Sequence, residues 1–315
     1  MQSRTLGRSG IAIPPLMFGG NVFGWTADKA QSFRLLDAAV DAGFTAIDTA
    51  DVYSAWVDGN KGGESETIMG EWLAERKCRD KVVIATKVGM AMGDGRKGLS
   101  REWILHEIDA SLTRLQTDYV DLYQAHKDDE TVPLEETLQT FAELIKAGKV
   151  RAIGASNYKG ARLKEALDVS AKHGLPRYET LQPLYNLLER KDYEADLAPV
   201  VQEAGLSVIP YFALASGFLT GKYRAKADLA SSLRGSRVEK YLNEGGAKVI
   251  AALDHVAERH GSNPTQIAIA WLIAQPNIAA PIASASKPEQ MADLVKACDV
   301  KLSANDVAVL DAATL

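Results

Sequence analysis

The sequence predicts an α/β fold, namely a (β/α)8 TIM barrel, from three observations. Short runs rich in β-branched residues alternate with longer amphipathic runs, and such alternation is typical of parallel strands joined by helical crossovers. Eight strand–helix units can be counted in 315 residues, a length that a closed barrel accommodates. No Pro/Ser-rich or charge-rich linker interrupts the pattern, so we expect a single domain over residues 1–315.

A β-hairpin is predicted ahead of the barrel. The turn Gly7-Arg8-Ser9-Gly10 separates two short strand-like runs within residues 5–14, a pattern typical of a hairpin. We expect the hairpin to close the bottom of the barrel.

Eight segments have the apolar, β-branched composition of buried barrel strands. They are residues 15–19, 44–48, 82–87, 119–126, 150–155, 179–182, 206–210 and 278–282.

Helices are predicted between the strands, for example over residues 28–42, 65–76 and 101–115. Capping residues mark several helix starts. Ser100 can cap the third of these helices, and Asn263 precedes a proline at the first helical position. Ser303 and Asp306 resemble a capping box, which predicts a C-terminal helix to about residue 313.

A long irregular stretch, residues 216–245, follows the seventh strand and precedes two further helices. Loops of this length inside a compact domain are usually functional or disordered. A basic loop after strand seven of a barrel is a candidate phosphate clamp, and a solvated surface loop is an equally good explanation. Its glycines and cations are Gly217, Gly221, Lys222, Arg224, Arg234 and Arg237.

Composition narrows the class of protein. Hydrophobic residues make up 46% and charged residues 24%, which excludes a disordered, collagen-like or disulfide-scaffold chain. A net charge of −5 without a basic stripe argues against nucleic-acid binding. No apolar run is long enough to span a membrane and no secretory signal is recognisable. Cys78 and Cys298 fit reduced thiols, so we expect a cytoplasmic protein, with the oligomeric state left open.

Three neighbouring strands bring polar residues to the rim where barrel active sites form. Asp48 ends strand two and Tyr53 follows it, Lys87 ends strand three, and His126 ends strand four. Each residue alone has an ordinary structural explanation, such as a cap, a packing residue or a satisfied histidine. The four together predict an active site.

These four residue types suit carbonyl reduction by a cofactor-derived hydride. The hydroxyl of Tyr53 would donate the proton, and the ammonium of Lys87 would stabilise tyrosinate and lower the pKa of Tyr53. The carboxylate of Asp48 would hold Lys87 by a buried ion pair. His126 would hydrogen-bond and orient the carbonyl oxygen.

Six segments, in order along the chain, resemble the signatures of the aldo-keto reductase family, whose members are NADPH-dependent. The resemblance is to its bacterial or potassium-channel-β-like branch. The segments are residues 44–53 (FTAIDTADVY), 84–87 (IATK), 121–126 (DLYQAH), 153–157 (IGASN), 182–186 (QPLYN) and 217–223 (GFLTGKY). The resemblance covers nearly the whole chain. It implies a barrel that reduces aldehydes or ketones, or oxidises the corresponding alcohols, with Asp48, Tyr53, Lys87 and His126 as the catalytic tetrad.

The resemblance also implies a set of residues that bind NADP(H), with NAD(H) as an alternative. Ser156, Asn157 and Gln182 correspond to residues that bind the nicotinamide carboxamide, and Tyr211 to the aromatic residue that stacks on the ring. The remaining expected cofactor contacts are Phe212, Leu214, Gly217, Leu219, Lys222, Arg224, Ser284, Ser286, Lys287 and Gln290.

Two departures from the family pattern concern the phosphates. Phe212 and Ala213 stand where members often carry Ser and Pro. Ser284 and Gln290 stand where many members carry Lys and Arg around the 2′-phosphate, which leaves Lys287 as the nearby cation. Because an Arg fork is the stronger phosphate reader, these departures weaken the preference for NADP over NAD.

The substrate pocket is expected to include Trp25, Trp56 and Met90. Two short motifs are excluded as sites. Residues 93–98 match G-x-G-x-x-G but do not directly follow a strand, and His255 and His260 lie five apart, so we expect no metal site.

The residues by themselves leave other functions open. A cofactor-binding regulatory subunit with little or no catalysis, resembling potassium-channel β subunits, is the main alternative, although no N-terminal extension is visible. A glycosidase would need two carboxylates flanking the bond, and strand seven ends in Tyr211. A lyase that forms a Schiff base on Lys87 is a further alternative.

Overall fold

The computed structural model describes residues 1–93, 95–231 and 235–314. Two short strands, β1 (Arg4–Thr5) and β2 (Ala12–Ile13), pair antiparallel as the predicted hairpin. Leu6, Ile11 and Ile13 of this hairpin are buried in one cluster with side chains of the barrel interior. The hairpin therefore closes one end of the barrel, as expected.

Eight parallel strands form the barrel, which confirms the predicted (β/α)8 architecture. They are β3 (Met17–Gly19), β4 (Ala46–Asp48), β5 (Val83–Val88), β6 (Val120–Ala125), β7 (Val150–Ser156), β8 (Tyr178–Gln182), β9 (Ser207–Val208) and β10 (Ile282–Ala283). Neighbouring strands pair in sequence order, and β10 returns to pair with β3.

The last strand differs from the predicted segment 278–282. Ile278 bridges to Val208 of β9, whereas the ladder with β3 begins only at Ile282. Pro281 lies between these two pairings and has no N–H to donate, so the strand is split into two short contacts. Together the two contacts join β9 to β3 and close the barrel.

Helices surround the barrel and extend beyond it. Within the described residues they are α1 (Lys29–Asp41), α2 (Glu64–Arg76), α3 (Arg101–Leu115), α4 (Leu134–Lys146), α5 (Gly160–His173), α6 (Ala198–Ala204), α7 (Gly235–Val238), α8 (Glu244–His260), α9 (Pro264–Ala274), α10 (Met291–Asp299) and α11 (Ala304–Ala312).

The predicted helix caps are confirmed. Ser100 accepts from the N–H of Trp103, and Asn263 accepts from that of Gln266. Ser303 and Asp306 form the capping box of α11.

The stretch after β9 is more ordered than predicted. It contains 3₁₀ turns at Ala215–Thr220, Lys226–Ser231 and Glu239–Tyr241 and the one-turn helix α7, before α8 and α9 begin. Arg234, which the sequence placed in this basic loop, lies outside the described residues.

Two further expectations from the sequence concern membrane spans and the state of the cysteines. In the described part of the chain no helix combines the length and apolarity that crossing a membrane requires. Cys78 and Cys298 are buried and free.

Candidate active site

Asp48, Tyr53 and Lys87 meet in one buried triangle at the carboxyl ends of the strands. The ammonium of Lys87 donates to Oδ2 of Asp48 at 2.7 Å and to the hydroxyl of Tyr53 at 2.9 Å. The Tyr53 hydroxyl donates to the same Oδ2 at 3.1 Å. Lys87 also bonds the carbonyl of Thr49 at 2.7 Å, so backbone fixes the ammonium as well.

Strand register explains why these side chains converge. Asp48 is paired with Ala85 in the β4–β5 ladder, so Lys87 lies two residues further along and projects into the same end of the barrel. A turn after β4, closed by the N–H of Tyr53 donating to the carbonyl of Ala50, brings the hydroxyl back over the rim. His126 follows β6 directly, and its ring centroid lies 6.0 Å from that of Tyr53.

Burial decides whether Tyr53 is protonated beside Asp48 and Lys87. The Lys87 side chain is 0% and that of Asp48 1% exposed. Burial, and then the neighbouring carboxylate of Asp48, raise the pKa of Tyr53 well above its ordinary value. The pKa of Tyr53 is therefore not lowered overall, because burial and Asp48 outweigh the expected lowering by Lys87. Tyr53 holds its proton at neutral pH.

His126 is a neutral hydrogen-bonding group in this setting. Burial, with a further contribution from Lys87, holds the pKa of His126 well below its ordinary value. Its Nδ1 is buried and has no partner among the described residues. A neutral imidazole can donate to a carbonyl oxygen without adding charge.

A cavity of about 760 Å³ extends from this triangle across the top of the barrel. Asp48, Tyr53 and His126 line one part of it, and Asn157, Gln182, Tyr211, Gly217 and Ser284 line others. Its volume lies within the range of small-molecule and cofactor sites in proteins.

Family comparison agrees with this geometry. Residues 15–314 match the model of the aldo/keto reductase family. The chain belongs to the aldo/keto reductase family. It is 34% identical to an uncharacterized oxidoreductase, YrpG, of Bacillus subtilis (strain 168), over 96% of this chain and 92% of that protein.

Two other relatives are similar over nearly their full length. Protein tas of Escherichia coli (strain K12) is 34% identical over 99% of this chain and 97% of its own. A putative voltage-gated potassium channel subunit beta of Schizosaccharomyces pombe (strain 972 / ATCC 24843) is 34% identical, over 94% of this chain and 88% of its own. Family membership makes this chain an oxidoreductase in general terms.

The residues expected at the nicotinamide form one connected network. Asn157 donates to Oγ of Ser156 at 3.0 Å and to the carbonyl of His126 at 2.8 Å, and its Oδ1 accepts from the hydroxyl of Tyr211 at 2.8 Å. Gln182 donates to Oδ1 of Asp48 at 2.8 Å, which ties this network to the tetrad. Ser156 lies behind the others and donates to the carbonyl of Gln182.

The loop after β9 brings some of its expected residues to the cavity and not others. Phe212, Leu214, Gly217 and Lys222 line it. The side chain of Leu219 is fully buried, and the expected contact of its backbone with the cofactor stays a prediction. The guanidinium of Arg224 is bound to Asp254 at 2.6 and 3.0 Å, away from the cavity lining.

Backbone in this loop is strained next to the cavity. Phe212, Ala215 and Ser216 have positive φ values of 56°, 47° and 58°, which cost non-glycine residues energy. Strain of this kind concentrates at ligand-binding segments.

Three donors converge on one oxygen in the loop after β10. The side-chain Oε1 of Gln290 accepts from the N–H of Ser286 at 2.8 Å, from its hydroxyl at 3.2 Å and from the N–H of Lys287 at 3.1 Å. Ser284 is already bonded to the carbonyl of Gly19 and to Asn21. This loop can therefore hold one anionic oxygen if the side chain of Gln290 turns away.

The expected substrate side is aromatic. Trp56 lines the cavity, is 43% exposed, and packs edge-on against Tyr53 at 6.1 Å and Trp25 at 5.7 Å. Met90 also lines the cavity, whereas Trp25 is not among its lining residues and contacts Trp56 instead. Asn60 joins the two tryptophan loops by donating to the carbonyls of Gly24 and Ser54.

Sequence reasoning missed cavity residues that follow the first barrel strand. Asn21 and Thr26 both line the cavity, and Oγ1 of Thr26 is buried with no partner among the described residues. Their position directly after β3 is the signal that could have identified them. No group of three or more His, Cys, Asp or Glu that could hold a metal ion occurs within the ranges described.

Proposed function

We propose that this chain interconverts aldehydes or ketones and their alcohols with NADP(H), and that Tyr53 is the general acid and base. The observation that carries the proposal is the buried triangle of Asp48, Tyr53 and Lys87 at one end of the cavity. A hydroxyl in this position can exchange a proton with the oxygen of a carbonyl compound bound in the cavity.

The side chains along the cavity fit a nicotinamide dinucleotide. Tyr211 offers a flat face for the ring, and the amides of Asn157 and Gln182 suit a carboxamide. Lys222 and the strained loop around Gly217 suit the pyrophosphate. When bound, the cofactor supplies or accepts a hydride.

This chain's own residues handle the proton. Tyr53 is held protonated by burial and by Asp48, so it can donate to the carbonyl oxygen during reduction. Lys87 then faces the tyrosinate at hydrogen-bond distance and stabilises its charge. His126, neutral and buried, holds the carbonyl oxygen toward Tyr53.

We propose NADP(H) over NAD(H) because three donors around Gln290 can receive a 2′-phosphate oxygen, with Lys287 beside them. Quenching of tryptophan fluorescence should give a lower Kd for NADP⁺ than for NAD⁺. Equal or tighter binding of NAD⁺ would contradict this part of the proposal.

The single-domain organisation and the cytoplasmic location stay predictions.

The central test is Tyr53→Phe, which removes one hydroxyl from the triangle. We expect carbonyl reduction to fall by about 10³-fold or more, while the Kd for NADP⁺ stays within about twofold. The matched control is Tyr193→Phe, which removes the hydroxyl of a buried tyrosine that does not line the cavity and should leave turnover unchanged. Substantial turnover in Tyr53→Phe would contradict the assignment.

A second candidate is a regulatory subunit that binds the cofactor with little or no catalysis. The similarity to a protein named as a putative potassium channel subunit beta favours it. It predicts slow turnover on every carbonyl compound and stable capture of a membrane-protein partner. Rapid turnover without such capture would exclude it.

A further inference from the structure

A cluster of buried carboxyl groups lies directly behind the tetrad and takes no part in the proposed reaction. Asp51 and Glu66 are 0% exposed and Glu107 is 2% exposed. Asp51 belongs to the turn that carries Tyr53, Glu66 to α2 and Glu107 to α3. Three buried carboxyls so close to one another cannot all be ionised without compensating cations.

One guanidinium, that of Arg114, forms ion pairs with two of the three carboxyl groups. Arg114 donates from Nε to Oε2 of Glu66 at 2.6 Å and from Nη2 to Oε1 of Glu107. The other oxygen of Glu66 accepts from the hydroxyl of Thr86, the residue before Lys87. Among the described residues the guanidinium of Arg114 donates to Glu66, Glu107 and Ser111, so Arg114 acts on Asp51 through its charge and not through one of these bonds.

Asp51 has only neutral contacts. Its Oδ1 accepts from the N–H of Val52 at 2.6 Å, and its Oδ2 is buried with no partner among the described residues. Its own N–H donates to the carbonyl of Lys87 at 3.3 Å. The backbone of Asp51 thus joins the Tyr53 turn to the strand that carries Lys87, whereas its carboxyl bonds within the turn itself.

Carboxylates on the elements packed around Asp51 oppose a negative charge on it. They are Asp48 on β4, Glu66 on α2 and Glu107 on α3, against which stand Lys87 on β5, already paired with Asp48, and Arg114 on α3. Tyr53 and, on β6, Tyr123 complete the titratable surroundings. Without Asp51 these ionised groups sum to one negative charge, so an ionised Asp51 would be a second one in the interior.

We propose that Asp51 is a positioning residue whose carboxyl stays protonated and shapes the Tyr53 turn by accepting from the N–H of Val52, without placing a negative charge beside Tyr53 and Lys87. The proposal rests on the proposed function for its catalytic meaning. Burial, and then Glu66 and Glu107, raise the pKa of Asp51 well above its ordinary value, which supports the neutral form. An ionised Asp51 would raise the pKa of Tyr53 further and weaken it as a base in alcohol oxidation.

Infrared spectroscopy of the intact protein at pH 7 tests the protonation directly. We expect a protonated-carboxyl C=O stretching band in the wild type that disappears in Asp51→Asn. The matched control is Asp37→Asn, which removes a surface carboxylate paired with Arg76 and should leave the band unchanged. Absence of the band in the wild type, or its persistence in Asp51→Asn, overturns the proposal.

Kinetics test the positioning role. Asp51→Asn keeps the Oδ1 acceptor for Val52, so kcat should stay within about threefold and the pH midpoint of alcohol oxidation should not move. Removing a real charge near Tyr53 would instead lower that midpoint by about one unit, which would overturn the proposal. Asp51→Leu, which removes the acceptor, should lower kcat at least about tenfold with unchanged Kd for NADP⁺.

The two arms separate failure of this inference from failure of the proposed function. If the wild type turns over no carbonyl compound, the infrared band still decides whether Asp51 is protonated. If Asp51→Leu does not fold, the Asp51→Asn midpoint and band remain decisive. Asp51→Leu with wild-type kcat would overturn the positioning role.

Discussion

Replacing Asp48 by Asn should leave the ammonium of Lys87 buried without its counter-charge. The two groups are 2.7 Å apart and almost completely buried. With an effective dielectric constant of about 20, their attraction is about 6 kcal/mol. Breaking a buried pair by removing one partner costs about 3–5 kcal/mol in practice. The asparagine side chain introduced by Asp48→Asn can still accept from Gln182 through Oδ1, but its amide nitrogen replaces the oxygen that accepts from Lys87 and Tyr53. The expected loss of unfolding free energy therefore combines the lost charge with these two hydrogen bonds.

The pH dependence of this loss follows from the pKa of Lys87. Burial already lowers that pKa, and Asp48 is the group that chiefly opposes burial. In Asp48→Asn the folded-state pKa falls further, so the penalty is complete at low pH. It shrinks as pH rises from the folded-state pKa toward the unfolded value of about 10.4, because the folded protein can then release the proton.

Urea unfolding of the wild type and Asp48→Asn between pH 6 and pH 9 measures this effect. We expect a deficit of about 3–5 kcal/mol at pH 6 that decreases with rising pH. Adding Lys87→Met to Asp48→Asn removes the buried ammonium and should restore about 2 kcal/mol or more. A deficit below about 1 kcal/mol at pH 6, or one that grows with pH, would refute the reasoning.

Two further predictions concern packing and pH. In Gly70→Ala the new Cβ would lie 2.0 Å from the carbonyl oxygen of Arg114, so α2 and α3 must separate at a cost of about 1–3 kcal/mol. Thermal unfolding should show this cost as a lower Tm. The control is Gly245→Ala, whose Cβ would meet a side-chain atom of Asn243 at 3.3 Å and which should not lower Tm. Because burial and Asp48 raise the pKa of Tyr53, the rate of carbonyl reduction should be flat from about pH 6 to pH 9, while alcohol oxidation should rise with pH. A one-proton fall of the reduction rate below pH 9 would contradict that direction.

The barrel could be predicted because its signals are local. Alternating strand and helix patterns, the turn at residues 7–10 and the caps at Ser100, Asn263 and Ser303 each depend on a few neighbouring residues. Strand ends share one rim, so Asp48, Lys87 and His126 could be placed together from their order along the chain. The split of the last strand at Pro281 was missed, because its pairing partners are distant in sequence.

Cofactor-side positions were harder to predict individually. Arg224 is expected from the sequence to contact the cofactor, yet its guanidinium is bound to Asp254. Where a loop side chain points depends on partners from other elements, here α8 for Arg224. Asn21 and Thr26 were missed because neither carries a charge or belongs to a recognised motif.

The sequence by itself determined the fold class and the residues that end the strands, since these depend on periodicity and on order along the chain. Its motifs carried the resemblance to the family. Only the tertiary structure decided the direction of the pKa of Tyr53 and the pairing of Arg114 with Glu66 and Glu107. Both depend on how much water is excluded and on which opposite charge is nearest in space. Those quantities are set by packing between elements that lie far apart in the chain.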